Sequence, residues 1–124
     1  GALAEAVAYT KSRVQFGKPI SKFQNTQFTL ADMELGCEAG RLLIYQAAVA
    51  KGEGRRYTKL AAMAKLFCSE HAMKTTTKVV QMFAAYGYTK DYPLQRMMRD
   101  AKITETSQAT SEVPLILVPA TMGL

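Results

Sequence analysis

Between Ser21 and Lys51 the large apolar residues Phe28, Leu35, Leu42 and Val49 return every seven positions, with Ala31, Ala39 and Tyr45 filling the turns between them. That period belongs to a helix with one continuous apolar stripe of bundle type, and a strand, whose faces alternate every two residues, cannot produce it. A helix of this length needs partners of similar length, so the rest of the chain is expected to supply them. Ser21-Lys22-Phe23-Gln24 has the Ser-x-x-Gln form of a capping box and predicts the helix start. Gly52-Glu53-Gly54-Arg55-Arg56 reads as a short connection, which makes the following helix an antiparallel neighbour.

That helix is expected from an N-cap at Thr58 to about Ala85, with Ala61, Ala64, Cys68, Ala72, Thr76, Val79 and Phe83 on one face. Its first half is lined with small residues, which favours close packing. Before the long helices, Ala2 to about Gln15 places Leu3, Ala6, Val7, Thr10 and Val14 on one side, and Phe16-Gly17-Lys18-Pro19 ends it. A fourth helix follows over Pro93 to Thr104, then a polar loop from Glu105 to Glu112. A short fifth helix is expected over Val113 to Pro119, where a second proline stops it. The expected fold is all-α, an antiparallel four-helix bundle with a short fifth C-terminal helix or tail, in one domain over residues 1–124.

With 124 residues, 48% of them apolar, the chain can bury about two thirds of its unfolded surface. The net charge of +6 is spread along the chain and not gathered in a run, so nucleic-acid binding is not indicated. Cys37 and Cys68, thirty residues apart and without metal-type neighbours, read as buried free thiols. No run reaches the length of a membrane span and no leader pattern opens the chain, so the cytoplasm is the default location. His71, the one histidine, reads as a packed residue at the edge of the third helix's apolar face. Seven methionines, among them Met63, Met73, Met82, Met97 and Met98, suit a core or an adaptable pocket for an acyl chain or another apolar small molecule.

Several motifs then stand in a specific order: Arg13-x-x-Phe16-Gly17-Lys18, Phe23-Gln24, Phe28-x-Leu30-Ala31-Asp32-Met33, Ala62-Met63-Ala64-Lys65, and the run from Gln81 through Tyr86-Gly87-Tyr88 and Tyr92-Pro93 to Arg99-Asp100-Ala101-Lys102-Ile103. In this order they resemble the C-terminal helical domain of the acyl-CoA dehydrogenases, over nearly the whole chain. The resemblance implies FAD-dependent α,β-dehydrogenation of an acyl-CoA thioester, carried out with an N-terminal helical domain and a middle β domain that these residues do not include. It also implies that the first helix is longer at its N-terminal end.

Carried over by motif, Arg13 is the arginine that reaches the FAD pyrophosphate, in the family from the neighbouring subunit. An always-charged, bidentate guanidinium suits that role. Phe16 and Gln24 fall near the adenine end, and Gln81 matches the family's glutamine. Ala84 and Ala85 stand where the family has two glycines, with Ala85 still at the cofactor-side position. The methyl groups point to a longer, stiffer third helix and away from a cofactor groove. Thr110 and Glu112 match flavin-contacting positions, and equally suit the N-cap and first-turn acid of the last helix.

The family's glutamate base falls on Gln108, and a carboxamide is no base near neutral pH. No catalytic residue and no metal ligand is therefore assigned. The expectation is a chain inactive as a dehydrogenase by itself, not retaining FAD, and associating with copies of itself. The alternative is a stand-alone degenerate or redesigned bundle that serves small-molecule binding or assembly.

Overall fold

The computed structural model describes residues 1–107 and 110–123. Among the described residues six α-helices occur in chain order: α1 (Ala2–Ser12), α2 (Gln24–Gly52), α3 (Thr58–Phe83), α4 (Ala85–Tyr88), α5 (Leu94–Thr106) and α6 (Glu112–Ala120). The all-α expectation holds, and α3 is its central post, packed against α1, α2, α4, α5 and α6. The core closes around the last turns of α3, where Val79 and Phe83 meet Ala6 of α1, Met33 of α2 and Leu94 of α5. Full burial of a side chain the size of Phe83 or Leu94 contributes about 2–3 kcal/mol each.

The long α2 helix exists, but turned round. Leu35 and Leu42 are 68% and 67% exposed, and Phe28, Tyr45 and Val49 are exposed with them. The buried positions are Met33, Gly36, Gly40 and Ala50. Two residues along an α-helix is a rotation of about 200°, so the series 33 and 40 lies nearly opposite the series 35 and 42. The inward face uses glycine because α3 lies against it. A Cβ on Gly36 would fall 1.9 Å from the His71 ring, and one on Gly40 would fall 3.1 Å from the Cys68 sulfur. Close approach therefore selected small residues for the inside, and size was the wrong guide to burial.

Three local expectations also give way. The stretch after α1 is not a plain helix stop. Strands β1 (Val14–Gln15) and β2 (Lys18–Pro19) pair antiparallel in the register Val14 to Pro19 and Gln15 to Lys18. Phe16 and Gly17 at their tip both have positive φ, 51° and 77°, as a two-residue hairpin turn of the primed type requires.

The capping box does not form. Ser21 lies in a 3₁₀ turn (Ile20–Lys22), α2 starts at Gln24 behind an N-cap at Phe23, and the Ser21 carbonyl accepts from Gln27 Nε2 at 3.1 Å. Nor does Thr58 cap α3. It is the first helical residue, behind Tyr57, and no side chain caps that end. The α2 end closes as expected, with Gly54 at φ 70° and the Arg55 N–H donating to the Ala50 carbonyl at 2.9 Å.

The largest correction is at Ala84. Two alanines in place of glycines do not lengthen α3; the helix ends at Phe83, and Ala84 takes φ 51°, ψ −129°. Tertiary packing overrides the propensity here. Leu94 must reach the core beside Phe83, and Gly87 turns back so closely on α3 that a Cβ there would lie 2.4 Å from the Val80 carbonyl oxygen.

Removing the methyl at residue 84 should therefore help. We expect Ala84→Gly to raise stability by about 1 kcal/mol, the strain of an alanine at positive φ outweighing the greater freedom of the unfolded glycine chain. Gly36→Ala should lower it by about 2 kcal/mol, because the His71 ring has to leave its place. Urea unfolding followed by circular dichroism checks both, and equal midpoints for Ala84→Gly and the parent would remove the strain argument.

Candidate functional site

Arg13 sits where α1 ends and the hairpin begins. Its N–H donates to the Tyr9 carbonyl and its own carbonyl accepts from the Ile20 N–H, each at 2.8 Å. The side chain enters a cleft of about 360 Å³ lined by Tyr9, Gln15, Phe83, Ala84, Ala85 and Tyr86 among others. Ala84 and Ala85 border this cleft. Bending the chain at Ala84 is what opens it.

A second groove, of about 430 Å³, adjoins this cleft through Gln15, Ile20 and Met82, and is lined by Phe16, Phe23, Lys78 and Gln81. Phe16 is 92% exposed at the hairpin tip, and its ring meets that of Phe23 edge to face at 6.2 Å. The Lys18 ammonium lies 4.5 Å from the Phe23 centroid. Cation, exposed flat rings and amide thus occur together at one end of α3. Gln24 is exposed at the start of α2 beside this groove and does not line it.

Thr110 and Glu112 belong elsewhere. They precede and open α6, where Ser111 and not Thr110 is the N-cap. The Glu112 carboxylate accepts from the Thr110 hydroxyl and from its own backbone N–H, with Lys65 contributing attraction, and these hold its pKa below the ordinary glutamate value. Lys65 is in the first third of α3 and Gln81 in its last turn. Sixteen residues of helix separate them by ~24 Å. Gln108, the position matched to the catalytic base, lies outside the described residues.

The other sequence candidates resolve into structure. His71 packs as expected, stacked on Phe67 at 5.8 Å, with Nε2 3.1 Å from the Met33 carbonyl oxygen. The Thr75 hydroxyl lies at the same 3.1 Å from Nε2, and the Cys37 sulfur at 4.0 Å. Both cysteines are free; burial pushes the Cys68 thiol up, whereas Cys37 is exposed, against expectation, because it sits beside the Gly36 contact on the rim of α2. Among the described residues no group of three or more His, Cys, Asp or Glu could hold a metal ion, and no helix is long and apolar enough to cross a membrane.

The motif order and this geometry agree with a direct comparison. The family model for the acyl-CoA dehydrogenase C-terminal domain matches residues 1–122. The chain belongs to that family. It is similar to a short-chain specific acyl-CoA dehydrogenase of Megasphaera elsdenii, at 53% identity over 116 residues, which is 94% of this chain and 30% of that protein. The solved butyryl-CoA dehydrogenase from Megasphaera elsdenii matches with a TM-score of 0.96 at 50% identity, over 99% of this chain and 32% of that one. A solved FAD-dependent dehydrogenase matches with a TM-score of 0.96 at 30% identity, over 99% of this chain and 33% of that one. The chain thus spans about a third of the length of these acyl-CoA dehydrogenase relatives.

Within the acyl-CoA dehydrogenase domain, sequence reasoning overlooked two aromatic residues of the site. In the sequence Phe23 stands within motifs, and Tyr86 within the Gln81 run, with no role assigned to either. Neither carries a local signal, because their positions follow from the hairpin and from the break at Ala84. Glu112 and its Thr110 partner at α6 give a pH test. A depressed carboxyl favours the folded state fully above the unfolded pKa, and that contribution is lost as pH falls through the folded value. We expect the Glu112 side-chain carbon to titrate below an ordinary glutamate in an NMR pH series, and Thr110→Val to move its midpoint upward; an unchanged midpoint would rule out the hydroxyl as the cause.

Proposed function

We infer that this chain supplies the cofactor-flanking helical domain of an FAD-dependent, short-chain acyl-CoA dehydrogenase fold, and that by itself it does not dehydrogenate acyl-CoA. The observation that carries the first half is the Arg13 cleft with its adjoining aromatic groove. Among the described residues the guanidinium has no carboxylate partner. Its in-plane N–H groups are therefore available to a diphosphate, as the chemistry of FAD asks. Phe16 offers an exposed face to a flat heteroaromatic ring, and Gln81 an amide at the groove edge. These residues fit the pyrophosphate and adenine side of the cofactor. Bound FAD would accept the hydride; the residues of this chain would orient its phosphates and shield its ring.

Thr110 and Glu112 sit at the start of α6 toward Lys65, which lies ~24 Å along α3 from Gln81, and they suit contact with a different part of the cofactor or with the cofactor of another copy. One copy alone therefore clamps FAD poorly, which supports the reading that it does not retain it. Chemistry argues the same way. Gln108 is no base, and neither neighbouring carboxylate replaces it. Glu105 is engaged by Lys102 at 2.6 Å, and Glu112 is held ionised and weakly basic by Thr110. In an assay with butyryl-CoA, FAD and an artificial electron acceptor, we expect no turnover above a no-protein control. Reproducible reduction of the acceptor that depends on butyryl-CoA would overturn this.

Assembly has its own support in the outward face of α2. Phe28, Leu35, Leu42 and Val49 line up one heptad apart on a surface that none of the described residues covers, and such a row favours association. The reading is a homo-oligomer joined through α2. Light scattering should give a mass above the 13.6 kDa of one copy at tens of micromolar, and Leu35→Lys with Leu42→Lys should return it to that mass. A monomer in the parent protein would refute the assembly reading.

A further inference from the structure

We propose that Tyr86 is a positioning residue for Arg13: its ring holds the guanidinium over the cleft by its flat face and leaves the N–H edge free for phosphate oxygens. The proposal rests on the cofactor-flanking reading above. The guanidinium carbon lies 5.8 Å from the Tyr86 centroid, within the reach of a cation–π contact. The backbone of Arg13 is fixed on both sides, so the ring acts on the one part of the residue still free to move.

Tyr86 is itself held. Its ring meets Tyr92 edge to face at 6.1 Å; Tyr92 meets Phe83 in the same way at 5.1 Å, and Phe83 stacks on Tyr9 at 3.8 Å with 16° between planes. An aromatic chain thus runs from the buried core out to the cation. The strained dihedral at Ala84 is part of the same device. It ends α3 after Phe83, and the turn it starts leaves Tyr86 48% exposed on the wall of the cleft that also holds Arg13.

The chemistry distinguishes this from ordinary pairing. A carboxylate would occupy the forked N–H edge that a diphosphate needs, whereas a π face takes the orthogonal side. Restricting a long side chain before binding also reduces the rotamer freedom lost when the ligand arrives. The aromatic ring, not the tyrosine hydroxyl, is the active part.

Two readouts test this on the 124-residue chain. In side-chain NMR the Arg13 δ-methylene protons should be displaced upfield by the ring current, a displacement kept in Tyr86→Phe and lost in Tyr86→Leu. In titrations with inorganic pyrophosphate, Tyr86→Leu should weaken binding about threefold. Tyr86→Phe should match the parent, and Tyr86→Leu should have no further effect once Arg13 is alanine. Tyr86 is half exposed, so the variants are expected to fold, and circular dichroism confirms it. An undisplaced Arg13 signal in the parent, equal effects of Phe and Leu, or additive losses with Arg13→Ala would each overturn the proposal. If pyrophosphate fails to bind the parent protein while the ring-current pattern holds, the positioning contact stands and the cofactor-flanking reading falls.

Discussion

The imidazole of His71 occupies the space that a side chain on residue 36 would need, and the distance between α2 and α3 follows from it. Glycine at 36 and again at 40 lets the two long helices approach until ring and sulfur rest almost on backbone. His71 Nε2 lies 3.1 Å from the Met33 carbonyl oxygen, a contact that ties the ring to the helix it presses against. Around this contact the buried positions of α3 are small or hydroxyl-bearing: Ala62, Ala64, Ser69, Thr75 and Thr76. The Thr76 hydroxyl donates back to the Ala72 carbonyl at 2.8 Å, so it adds little polarity to the interface. A slim helix of this kind can be surrounded. That is how α3 comes to touch five other helices.

The same economy of size explains what was legible in the sequence. Helix number and order could be read because periodicity and breakers act locally, and α5 and α6 fall within two residues of expectation. Rotation could not. Leu35 and Leu42 announce an apolar face more strongly than Gly36 and Gly40 do, yet the glycines are inside because close approach, and not hydrophobicity, decided the contact. Ala84 failed for the opposite reason. Its local preference is helix, and the pull of Leu94 and the fit of Gly87 against Val80 overrule it. The hairpin at Phe16 was hidden because strands of two residues have no period to detect.

The candidate site was legible in part and for a different cause. Arg13, Phe16 and Gln81 were found by motif, and the fold brings the three to neighbouring grooves. Thr110 and Glu112 were found in the same way, but lie at the start of α6, toward the Lys65 part of α3. Motif order says nothing about distance. The roles of Tyr86 and Phe23 are invisible without the turns that aim them, since an aromatic residue in a helical pattern reads as core. Membership of the acyl-CoA dehydrogenase family therefore fixes the frame within which these positions are read.

Because α3 is a single unbroken shaft from Thr58 to Phe83, its two ends share one angular register. A one-residue deletion anywhere along it would turn the Gln81 end by about 100° against the Lys65 end and draw it in by about 1.5 Å. Five neighbouring helices would then meet the wrong side chains. Substitutions along this helix can accumulate one at a time, but changes of length cannot. Divergence in length among chains of this fold should be confined to the connections, such as residues 53–57 and 89–93, and the spacing between the Lys65 and Gln81 positions should behave as a fixed dimension of the lineage.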